Sequence, residues 1–109
     1  SQYGEHLGNK LKERLKDLSC VSDIRGIGLM WGVELVADKD TNTPFPRHEK
    51  VVERVWDTLF EKGIITYKST GLAGMDGDAL IIAPPFIIKE DEIDFLVDTV
   101  ASTLKETLG

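Results

Sequence analysis

A single cysteine, Cys20, among 109 residues leaves no partner for an internal disulfide, which fits a reducing, cytoplasmic setting. There is no CxxC and no close set of Cys and His, so a zinc site is excluded. Cys20 itself reads as a small buried apolar residue. Basic residues are the minority, thirteen against nineteen acidic ones. The resulting net charge of −6 repels a phosphate backbone and argues against nucleic-acid binding. Long apolar runs are missing as well. Nothing approaches the ~20 residues of a membrane span, and no basic segment followed by an apolar one opens the chain. Only two histidines occur, His6 and His48, and both are expected at the surface. Neither has a Ser, Cys or carboxylate at a spacing that builds a catalytic pair.

What is present is enough apolar residue, 41% of the chain, for one modest core in a single domain. Tyr3, Leu7, Leu11, Leu15 and Leu18 share one face of a helix starting near residue 2, weakened by Gly4 and Gly8. Residues 20–25 read as a short strand, followed by a second in which Leu29, Trp31, Val33 and Leu35 alternate with Met30, Gly32, Glu34 and Val36. Glu34, charged within an apolar alternation, either faces water or pairs with a base such as Arg25. The polar stretch 38–46, with two prolines, is a loop. From Arg47, the spacing of Val51, Val52, Val55, Trp56, Leu59 and Phe60 predicts a second helix closed by Lys62 and Gly63, with Trp56 among its core anchors. Residues 64–67 and 79–83 are expected strands, separated by a loop over 68–78. Ile93, Leu96, Val97, Val100, Leu104 and Leu108 define a third helix, opened by Glu90, Asp91 and Glu92. The acidic first turn accounts for these carboxylates without a metal. The fold class is α+β, in the order α-β-β-α-β-β-α, with the helices on one side of a small, mainly antiparallel sheet.

Two segments stand out from ordinary core patterning. Gly26-Ile27-Gly28 followed by Gly32 has the wrong spacing for a phosphate loop and is followed by a strand, so a tight bend between two strands is the better description. In Gly77-Asp78-Ala79-Leu80-Ile81-Ile82-Ala83-Pro84-Pro85-Phe86-Ile87-Ile88, a strand ends in two prolines that cannot donate to a ladder, and the apolar Phe-Ile-Ile behind them needs something to pack on. That segment is expected to dock against another surface.

The phrase Val21-Ser22-Asp23-Ile24-Arg25-Gly26-Ile27-Gly28-Leu29-Met30-Trp31-Gly32-Val33-Glu34-Leu35, followed some forty residues later by Gly77-Asp78 and Ala83-Pro84-Pro85-Phe86-Ile87-Ile88, resembles the C-terminal segment of class III aminotransferases. The resemblance covers essentially the whole chain. It implies the small C-terminal domain, over residues 1–109, of a pyridoxal-phosphate enzyme of the aspartate-aminotransferase fold, packed on its own large domain and usually in a homodimer. It also implies that the cofactor and its Schiff-base lysine belong to the large domain, so no catalytic, cofactor-binding or metal residue is assigned here. The whole enzyme would move an amino group from an amine or ω-amino acid to a 2-oxo acid such as pyruvate. In several relatives that use pyruvate, an arginine ends the strand before the Gly-Asp motif; that place holds Tyr67 here, with Lys68 beside it. Others carry an arginine just before Gly-Asp, where this sequence has Asp76. Lys89 stands where relatives often have a capping threonine. Tyr67, Lys68 and the loop to Asp78 are therefore the expected substrate-facing residues; Arg25 is a second substrate-binding candidate, set against the more ordinary role of an arginine that ties the first strand to a carboxylate. The chain opens in mid-helical pattern without a methionine and is expected to be a fragment, inactive alone. The alternative from another class is an independent ligand-sensing α+β module, ACT-like, without catalysis.

Overall fold

The computed structural model describes residues 2–73, 76–84 and 88–108, with the backbone alone for 47, 69–73, 76 and 77. Its elements follow the order read from the sequence: α1 (Gln2–Leu15), β1 (Val21–Ile27), β2 (Met30–Leu35), α2 (Val51–Glu61), β3 (Tyr67–Ala73), β4 (Asp76–Ile82) and α3 (Glu90–Leu108), with a short 3-10 turn at Arg47–Glu49. All strand pairings are antiparallel, and the sheet order is β1-β2-β4-β3.

Each helix buries most of the stripe its spacing dictates, with Tyr3 of α1 left exposed. Leu7, Leu11 and Leu15 of α1, Val51, Val52, Val55 and Leu59 of α2, and Ile93, Leu96, Val97, Val100 and Leu104 of α3 enter one core with Val33, Leu35, Leu80 and Ile82 of the sheet. Cys20 is buried with them, and burial pushes its thiol above the ordinary value. Along α1 and α3, His6 meets Asp94 at 2.9 Å, Lys10 approaches the same carboxylate, and Arg14 pairs with Asp98. His6 is thus half-buried and paired across helices, where the sequence placed it on the surface; His48 is exposed as expected. The backbone N–H of Lys89 donates to Glu92 Oε1, so a glutamate in the first turn supplies a cap that the Lys89 side chain does not.

Three local expectations need correction. Helix α2 closes with Gly63 N–H on the Phe60 carbonyl and Ile64 N–H on the Leu59 carbonyl. This closing turn commits Ile64 to the helix end, so β3 starts only at Tyr67, where a strand over 64–67 was expected. The expected loop over 68–78 is mostly the β3–β4 pair: β3 is an edge strand, and Lys68, Ser69 and Thr70 lack the apolar alternation that marks a buried one. The third correction concerns Trp56. It is half-buried rather than a central anchor, and Phe60, stacked on it with ring centroids 5.3 Å apart, is 54% exposed.

Candidate functional site on the helix-free face of the sheet

Alternation along the strands sorts their side chains onto two faces. Val33, Leu35, Leu80 and Ile82 point into the helix-covered core, together with Asp78, whose carboxylate is fully buried. The other face carries Asp23, Arg25 and Ile27 of β1, Met30 and Glu34 of β2, Ile81 of β4 and Tyr67 of β3. No helix lies on this side among the described residues, and its rim is apolar: Ile27 is 84% and Met30 59% exposed.

The register aligns two of the residues singled out by sequence. Arg25 pairs with Gly32, Gly32 with Ile81, and Ile81 with Tyr67, so these four form one row across all four strands. Arg25 and Tyr67 end that row on opposite edges, about 14 Å apart at three strand spacings. Gly32 contributes no side chain, which leaves the middle of the row low. Tyr67 is 61% exposed and Arg25's side chain 84%. Arg25 Nε donates to Asp23 on its own strand. This bond, reinforced by the charges of Asp23 and then Glu34, holds the guanidinium's pKa above its ordinary value. Glu34, for which either solvent or a base such as Arg25 was the open alternative, accepts from Ser22 Oγ at 3.1 Å, and the direct partner of Arg25 is Asp23.

Lys68 parts company with Tyr67. As the next residue on the strand it projects to the helix side, opposite Leu80, and its Nζ sits 4.4 Å from the centroid of the Trp56 ring. Of the three expected substrate-binding residues, the structure brings Arg25 and Tyr67 to one face and turns Lys68 to the other. Sequence reasoning missed Trp56 as the partner of Lys68, because it counted Trp56 among the core anchors of α2.

The β1–β2 hairpin that carries Arg25 turns at Gly28, whose φ of +57° suits glycine. Its inner side rests on α1, where the Trp31 ring occupies the space a Cβ on Gly8 would take. The Trp31 Nε1–H donates to the Gly28 carbonyl at 2.8 Å, closing the turn. The glycine cluster is therefore the expected strand-to-strand bend, seated against α1.

A pyridoxal-phosphate site needs a lysine in a desolvated pocket and a phosphate cradle. Eight of the nine lysines are exposed, and the ninth, Lys10, is half-buried beside Asp94. The glycine turn joins two antiparallel strands and opens no helix. The described residues do not fit the cofactor. Nor do three or more His, Cys, Asp or Glu side chains among them gather as metal ligands. Among the described residues, no helix is long and apolar enough to cross a membrane.

An open groove of about 900 Å3 runs beside the end of β4, lined by Ile64, Ile65, Ile82, Pro84, Ile88 and Phe95 among others. It includes both ends of the expected docking segment: Pro84 is half-buried and Ile88 buried, while Pro85, Phe86 and Ile87 lie outside the described residues.

The family pattern described as aminotransferase class-III matches residues 1–104. An uncharacterized aminotransferase of Schizosaccharomyces pombe is 37% identical over 110 residues, covering all of this chain and 24% of that protein. The adenosylmethionine-8-amino-7-oxononanoate aminotransferase of Methanocaldococcus jannaschii is 40% identical over 100 residues, covering 92% of this chain and 20% of its own length. The crystal structure of a transaminase from the marine bacterium Virgibacillus superposes with a TM-score of 0.89 at 30% identity, covering 98% of this chain and 24% of that one. The chain thus spans about a quarter or less of the relatives it matches. None of these likenesses supports a free-standing regulatory module. A match over nearly the whole chain, with the same fold in solved transaminases, shows that the chain belongs to the class III aminotransferase family.

Proposed function

We propose that the chain is the C-terminal small domain of a pyridoxal-phosphate-dependent aminotransferase and that its helix-free face closes the substrate side of the cleft. The cofactor and its lysine belong to the large domain that makes up most of the protein, in a homodimer. The enzyme moves an amino group from an amine or ω-amino acid to a 2-oxo acid such as pyruvate; the donor leaves as a carbonyl compound and the acceptor as an amino acid. Relatives named for 8-amino-7-oxononanoate and for ω-transaminase activity support an amine-bearing substrate that is not confined to α-amino acids.

The observation that carries this proposal is the row from Arg25 to Tyr67 on a sheet face free of helices, in a family member whose described residues hold no cofactor site of their own. A guanidinium offers a planar fork to a carboxylate, and a phenol offers one donor and an acceptor. Arg25 is already engaged by Asp23, so Tyr67 is the freer of the two to meet substrate. In the active, cofactor-loaded protein, Tyr67→Ala is expected to raise KM for pyruvate about tenfold with kcat little changed, as when uniform binding is removed. Arg25→Gln should do the same to a smaller extent. Unchanged KM in both variants would refute the assignment of this face to the substrate.

A further inference from the structure

Tyr67 is held by its chain neighbours, and one residue holds both of them. Trp56 Nε1–H donates to the carbonyl of Thr66 at 2.7 Å, and the face of the same indole receives the Lys68 ammonium at 4.4 Å from its centroid. Thr66 and Lys68 immediately precede and follow Tyr67. The indole is itself braced by Phe60, one turn along α2, stacked within 13° of parallel. Tyr67 is the first residue of an edge strand, paired on one side only, through Ile81. Such a position is prone to fraying unless something outside the ladder restrains it. Because side chains alternate, holding residues 66 and 68 against α2 directs residue 67 to the helix-free face.

We propose that Trp56 is a positioning residue for Tyr67: by gripping Thr66 and Lys68 it fixes the start of β3 and presents the phenol on the face turned to substrate. This rests on the assignment of Tyr67 to the substrate given above. The role of Lys68 follows from the same contact. It acts as the strand's tie to α2 and not as a second substrate ligand, which accounts for its facing away from Tyr67.

The test uses the active protein with 3-fluorotyrosine incorporated at position 67, read by fluorine NMR, together with pyruvate kinetics. Trp56→Leu removes both the N–H donor and the aromatic face; Trp56→Phe keeps a face for Lys68 and loses the donor; Lys68→Met removes the cation. The expected result is a broadened or doubled fluorine signal and a KM for pyruvate raised about fivefold to tenfold in Trp56→Leu, with kcat within about twofold. Trp56→Phe and Lys68→Met should each give part of the effect, so the proposal stays testable if Trp56→Leu does not fold. In a Tyr67→Ala background, Trp56→Phe and Lys68→Met should add nothing to KM, because the groups act through Tyr67. An unchanged fluorine signal in all three variants would overturn the positioning role, whatever the kinetics show. KM changes that persist undiminished in the Tyr67→Ala background would overturn it too. If Tyr67→Ala leaves KM unaltered while the fluorine signal still responds to Trp56, the positioning stands and the substrate assignment fails.

Discussion

Replacing Leu59 with alanine should remove about 2–5 kcal/mol of stability. Leu59 is fully buried where α2 meets the core, so the change deletes packed methyl groups and leaves a cavity that the surrounding helices and sheet fill only in part. The loss is large against the ~5–15 kcal/mol expected of a small domain. Phe60, the next residue, is the control. It is over half exposed and stacks on Trp56, so Phe60→Ala should cost about 1 kcal/mol. Denaturant midpoints of the two variants check the rotational phase of α2 directly; equal losses would contradict it.

Gly8→Ala should destabilise the fold, although helix propensity points the other way. Alanine in the interior of α1 gains roughly 1 kcal/mol over glycine in a free helix. Here the added methyl would enter the space taken by the Trp31 ring, which is tied by its own N–H to the hairpin turn and has little freedom to retreat. Overpacking of that kind costs about 1–3 kcal/mol, so after the propensity gain the net result should be a loss of up to about 2 kcal/mol. In a Trp31→Ala background the same Gly8→Ala change should become neutral or stabilising, a strongly non-additive pair. Additive losses would mean that Gly8 and Trp31 do not compete for one space.

Much of this architecture is legible in the sequence because it rests on local periodicity. The stripes of Leu7, Leu11 and Leu15, of Val52, Val55 and Leu59, and of Ile93, Val97 and Val100 announce three helices, and Gly63 marks where the second ends. Strand β2 is just as clear from Val33 and Leu35 alternating with Gly32 and Glu34. Strand β3 is not legible, since an edge strand satisfies one side of its backbone and needs no apolar alternation; its Lys, Ser and Thr read as loop. The candidate site shows the same division. Arg25, Tyr67 and Lys68 can be picked out by the family resemblance, but their directions depend on strand order and register, which couple residues 25, 32, 81 and 67 over long separations. Only the pairing shows that Arg25 and Tyr67 share a face and that Lys68 leaves it. The seat of Trp31 on Gly8 is hidden for the same reason: glycine in a helix looks like a weakness until the ring that replaces its side chain is seen.

The central claim is that the helix-free face of this domain closes a cofactor-bearing cleft supplied by the rest of the protein. Oxidative footprinting of the active, pyridoxal-phosphate-loaded protein tests it most directly, with Met30 and Tyr67 as reporters of that face and Phe60 as the reporter of the opposite side. Met30 and Tyr67 should be strongly protected, and Tyr67 further protected when pyruvate is bound, while Phe60 stays reactive. Free oxidation of Met30 and Tyr67 in the assembled enzyme, unaffected by pyruvate, would contradict the claim.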